Sequence, residues 1–121
     1  MREDEYTLRD RVLLRSMGMP PRARGYRYLA CAVALTAETL DREGRLPEGL
    51  YRRVGARCGA GAETAGRSCR CAVRQLWSAG NGAERSRWFP KGIAAGRNGP
   101  SGAVLIRLLA QTLLREWQNF G

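Results

Sequence analysis

The chain has 121 residues, 44% hydrophobic and 26% charged, which is enough length and apolar content for one domain with its own core and excludes a disordered chain. Lys and Arg number 21 against 11 Asp and Glu, a net charge of +10 in which Lys91 is the one lysine, so the surface field draws polyanions, nucleic acid above all. There is no histidine, no carboxylate pair at a pocket spacing and no phosphate-cradling glycine motif beside a strand, which removes the usual parts of an enzyme, and no apolar run approaches the roughly 18 residues of a membrane span.

The first ten residues, MREDEYTLRD, are acidic where a signal peptide is basic and then apolar, so a cytoplasmic location is expected. Residues 5 to 17 carry Leu8, Val12 and Leu13 at helical spacing, and Gly18-Met19-Pro20-Pro21 stops that first helix. From Gly25 to Glu43 the stripe Tyr26, Leu29, Val33, Thr36 and Leu40 predicts a second helix ended by Gly44. In LPEGLYRRVGARC, Pro47 suits a first turn, with Leu46, Leu50 and Val54 on one face, until Gly59-Ala60-Gly61 breaks the helix.

A fourth helix, from about Ala62 to Ser78, sets Ala65, Cys69, Ala72, Val73 and Leu76 on one side, with Gly80-Asn81 as its stop. After a loop rich in Arg and Gly, Ser101 can cap a last helix with Val104, Leu105, Leu108, Leu109, Leu113 and Trp117 on its apolar face. A short sixth helix is expected around Gly82 to Trp88, and Gly92 to Ala95 is the one stretch that could pair as a strand. The fold class expected is therefore all-α, one domain over residues 1–121, a bundle of five to six helices.

A short helix, a Gly turn and a longer second helix, over about residues 47–79, is the helix-turn-helix arrangement, in which the first helix braces the second across the major groove. If the apolar side of the second helix faces inward, the side facing out carries Thr64, Arg67, Cys71 and Arg74, flanked by Glu63 and Arg70. Arginine suits that place because its planar fork makes paired hydrogen bonds to guanine or to phosphate. The base-reading candidates are thus Thr64, Arg67, Arg70, Cys71 and Arg74; Arg45, Arg52, Arg53, Arg57 and Arg97 are the phosphate candidates, and double-stranded DNA is the partner. The bland alternative for each arginine is a solvated helix face. Tyr26, Tyr28 and Trp77 fall on predicted core stripes, which argues against base stacking on RNA.

Of the four cysteines, Cys69 and Cys71 stand two apart on a helix, about 200° around its axis, so they cannot readily face one ion. Reduced, mostly buried thiols are expected, with no metal and no cofactor.

Several separated signatures, Gly18-Met19-Pro20, Arg24-Gly25-Tyr26-Arg27-Tyr28-Leu29, Leu50-Tyr51, Ala72-Val73 and Trp77-Ser78-Ala79-Gly80-Asn81, resemble the C-terminal effector domain of the sporulation-initiation response regulator, the stage-zero sporulation protein A family. The resemblance covers nearly the whole chain. It implies a six-helix domain that binds a short DNA box, often as a head-to-tail homodimer on tandem copies, and activates or represses transcription. It implies that Arg67 and Arg70 stand at basic positions of the recognition helix, and that the last helix lies near the surface meeting RNA polymerase or a second protomer.

The chain also departs from that pattern. Glu63-Thr64 and Gly66-Arg67 replace a Ser-Arg and a Glu-Arg, Cys71 replaces a His, and Ala60-Gly61 replaces two threonines at the helix entrance. A lost cap and an interior Gly each cost about 1 kcal/mol, so a softer reading helix is expected. That softness favours an alternative, a non-reading relative that acts as an interaction module paired with a full-length regulator. With 24 residues before Gly25 there is no room for a receiver domain, so control by aspartyl phosphorylation is not expected within this chain.

Overall fold

A computed structural model describes residues 3–23, 25–79 and 101–120. Among them are five helices and no strand: α1 (Glu3–Ser16), α2 (Tyr26–Glu43), α3 (Leu50–Cys58), α4 (Ala62–Ala79) and α5 (Gly102–Phe120). The expected all-α class is what the chain adopts. The short helix expected at Gly82 to Trp88, the pairing at Gly92 to Ala95, and Arg97 lie outside the described residues. None of the described helices is long and apolar enough to cross a membrane.

The centre of the bundle is α2, which touches each of the other four. Its burial is not a stripe: Leu29, Ala30, Ala32, Val33, Ala34, Leu35, Thr36, Ala37 and Thr39 are all inside. A helix buried on several faces needs apolar positions all round, and the small alanines let neighbours come close on sides the simple periodicity left open. Thr39 is kept satisfied by donating its hydroxyl to the Leu35 carbonyl at 2.8 Å. As expected, Gly44 ends the helix, its N–H reaching the Leu40 carbonyl.

On α1 the buried stripe is Tyr6, Asp10, Leu13 and Leu14, with Met17 just past its end, so of the expected Leu8, Val12 and Leu13 it is Leu13 that lies inside. Leu8 and Val12 are 65% and 63% exposed. The true stripe was hidden because Asp10, a charged residue, stands in the middle of it. Tyr6 donates its hydroxyl to Asp41 at 2.6 Å, tying the start of α1 to the end of α2 and making the two antiparallel. Helix α3 also starts later than expected. Gly49 takes a left-handed conformation as its N-cap, so Pro47 stays outside the helix and Leu46 is exposed.

Ser101 caps α5 as expected, accepting the Val104 N–H. The face it buries against α2 includes Ile106 and Ala110 beside Leu105, Leu109 and Leu113, while Val104 and Leu108 are only half-buried.

Asp10 is fully buried, and neither carboxylate oxygen has a hydrogen-bond partner. Loss of water pushes its pKa well above the ordinary 3.8, a rise that Arg11 only partly opposes. The folded state therefore holds a proton that the unfolded chain releases, and stability falls as pH rises from the unfolded value toward the folded one. The expected outcome for Asp10→Asn is a melting temperature close to the parent's in acid and higher at neutral pH, the gap opening as pH climbs and then levelling off. Thermal unfolding of both proteins across that range checks it, and a gap that stays constant with pH would contradict it.

Candidate nucleic-acid interface

Helices α3 and α4 are joined by residues 59–61 and pack on each other and on α2, the arrangement in which a short helix braces a longer one. The turn is tight because Gly55 has no side chain. A Cβ there would collide with the Ala60 carbonyl oxygen and lie 2.9 Å from that of Gly61. The backbones meet instead, with the Ala60 N–H on the Gly55 carbonyl at 2.7 Å.

A second close approach sets the back of α4. Gly25, at φ +85°, leads into α2 directly over the Ser68 carbonyl, where any Cβ would clash, and Ala72 lies at 3.3 Å from the same point. Arg27, one residue into α2, donates to the Cys58 carbonyl at 2.7 Å and so satisfies the C-terminal end of α3. Gly25, Arg27 and Gly55 hold the motif in place. Periodicity alone could not mark them, since neither glycine adds to an apolar stripe and Arg27 reads as one more surface cation.

The inward side of α4 is Ala65, Gly66, Cys69, Ala72, Val73, Leu76 and Trp77, all buried. Thr64, Arg67, Arg70 and Arg74 are exposed and Cys71 is half-buried. Thr64, Arg67, Cys71 and Arg74, joined by Ser68, line one open concavity of about 390 Å³. Ser68 went unnoticed in the sequence, although it lies one turn from Thr64 and just under one turn from Cys71.

Arg70 is set apart from this group. Its stem and the Tyr51 hydroxyl meet over Gly102 at the start of α5, and its guanidinium lies beside Gly66 next to the Tyr51 ring. Arg52, Arg53 and Arg57 are exposed on α3, and Arg45, in the loop before it, pairs with Glu43 at 3.1 Å.

Arg67 makes a 3.5 Å ion pair with Glu63, one turn earlier, but the two side chains are 69% and 89% exposed. A pair so open to water and salt is worth little, and the guanidinium stays available to a stronger anion. Helix α4 runs unbroken through Gly66. The missing side chain there leaves space that the Tyr51 ring and Arg70 approach, with a Cβ meeting Arg70 Nη1 at 3.3 Å and the ring at 3.6 Å. At the entrance Gly61 accepts the Ala65 N–H through its carbonyl, but it brings no hydroxyl for the remaining first-turn amides.

A family model described as sporulation initiation factor Spo0A C terminal matches residues 11–113, most of the chain and the whole of α2, α3 and α4.

Two glycines on one motif should respond with opposite signs. Gly66→Ala gains helix propensity of about 1 kcal/mol and needs only the flexible end of Arg70 to move, so urea unfolding should show a higher midpoint. Gly55→Ala forces backbone against backbone and should cost about 2 kcal/mol or more. A Gly55→Ala protein as stable as the parent would mean that the turn is not held by this contact.

Proposed function

The chain belongs to the family of Spo0A C-terminal domains, a DNA-binding effector family rather than an enzyme family, and on that premise we propose that it reads a specific DNA sequence by laying α4 in the major groove. The observation that carries this reading is the shared concavity of Thr64, Arg67, Ser68, Cys71 and Arg74 on the outer side of the longer helix of the motif. Arg67 and Arg74 are two turns apart, about 10 Å along the axis, the length of about three base-pair steps. Each can offer a fork to guanine O6 and N7, while Thr64 and Ser68 offer hydroxyls and Cys71 a small apolar surface for a thymine methyl.

Arg52, Arg53 and Arg57 on the bracing helix, with Arg45 ahead of it, supply the salt-sensitive phosphate contacts, and Arg97 is assigned to the same role by charge. Arg70, one of the base-reading candidates, lies beside Tyr51 and the start of α5, and we place it at the groove edge with a phosphate. Binding as a homodimer on tandem sites, with α5 facing polymerase or a second protomer, completes the proposal.

A second reading, an interaction module that pairs with a full-length regulator, is favoured by the uncapped entrance of α4. Selection of bound duplexes from a random pool at near-physiological salt separates the two. The first reading expects an enriched motif; the second expects binding at the non-specific level and co-purification with the regulator. Within the first, Arg67→Ala should cost about 1–3 kcal/mol on the preferred box and relax one position of it. Arg53→Ala should weaken all sequences alike and lower the salt slope by about 1. An unchanged motif with Arg67→Ala would remove that side chain from the reading set.

A further inference from the structure

The outer face of α1 carries two large apolar side chains, Leu8 and Val12, that stay exposed. They stand one turn apart, on the side of the helix directly opposite the buried Asp10. Single exposed apolar residues need no explanation, but the order of charges around this pair is specific. Leu8 and Val12 lie two residues either side of Asp10, and the exposed Glu5 and Arg15 lie five residues either side of it. At about 100° per residue, a line along the helix between Leu8 and Val12 has Val12 and Glu5 on one flank and Leu8 and Arg15 on the other, all within about 40° of it.

A half-turn about an axis standing on that line, level with Asp10, therefore lays the face on its own copy. Leu8 meets Val12 of the second copy and Val12 meets Leu8, while Glu5 meets Arg15 and Arg15 meets Glu5. A partner surface of one charge sign would attract one of the two charged side chains and repel the other, whereas a second copy satisfies both. Arg9 and Arg11 fall about 80° off the line, at the rim, where the two helices diverge and water separates like charges.

We propose that α1 is a homodimer contact, two copies packing antiparallel through Leu8 and Val12 with Glu5–Arg15 ion pairs at both ends. The contact is isologous and closes at two copies, unlike a head-to-tail pairing on tandem DNA sites, and it uses none of the residues assigned to DNA. Helix α1 has 14 residues, about 21 Å of length, so the interface is at the small end of specific ones and the dimer dissociates readily.

Sedimentation equilibrium of the full chain without DNA, at protein concentrations up to about 1 mM in about 0.15 M salt, tests it. The expected result is a monomer–dimer equilibrium with no larger species. Leu8→Ser enters the interface twice and should weaken association about a hundredfold. Glu5→Arg and Arg15→Glu should each weaken it about tenfold, and the double variant should restore it. Each charge change also opposes the α1 dipole, and that loss, followed by circular-dichroism melts, adds up in the double variant rather than cancelling. Recovery in the double variant is thus the mark of pairing between copies. A chain that stays monomeric throughout, leaving the face to a different partner, would overturn the proposal. So would a dimer that Leu8→Ser does not weaken, or a double variant no tighter than the single ones.

Discussion

The motif depends on two places where a backbone must touch another backbone with nothing between. At Gly55 the bracing helix closes on its own turn, and at Gly25 the central helix closes on the rear of α4. Core packing is tolerant of similar apolar shapes, but a carbonyl oxygen pressed against a Cα hydrogen leaves no room for any side chain. The two contacts lie on the hidden side of the motif and fix the direction in which α4 presents its outer face. Arg27 adds a directional bond to the same assembly by closing the end of α3.

The electrostatics divide between the inside and the outside of the bundle. The basic outer side of α4 faces water, where the exposed Arg67–Glu63 ion pair is weak enough to yield to a stronger anion. Inside, Asp10 lacks any compensating hydrogen bond and lowers stability at neutral pH. Such a group on α1 detracts from the scaffold, since α1 packs mainly on α2 and α5.

The sequence was most legible where an amphipathic stripe was clean. The bounds of α2 and α4 and the outward placement of Thr64, Arg67 and Arg74 follow from spacing and side-chain chemistry, while the family showed only through resemblance. It misled where polarity and burial part company. A buried Asp10 made the wrong stripe of α1 look apolar, and the alanines of α2 concealed a helix enclosed on several sides. Pro47 suited a helix start, yet the left-handed Gly49 two residues later set the actual one. The separation of Arg70 from the other outward arginines was not legible either, because it depends on Tyr51 and Gly102, which come near it only in three dimensions. Ser68 was missed for the opposite reason: a small polar residue on a helix carries no signal until its neighbours are known to line one concavity.

Backbone-amide NMR of the labelled chain, titrated with a DNA duplex carrying a selected box, tests most directly whether the outer side of α4 is the surface that meets DNA. The account predicts that the largest shift changes cluster from Thr64 to Arg74, with smaller ones at Arg52, Arg53 and Arg57, while the outer face of α1 around Leu8 and Val12 stays unchanged. Changes centred on α1 or on the outer face of α5, with α4 silent, would contradict it.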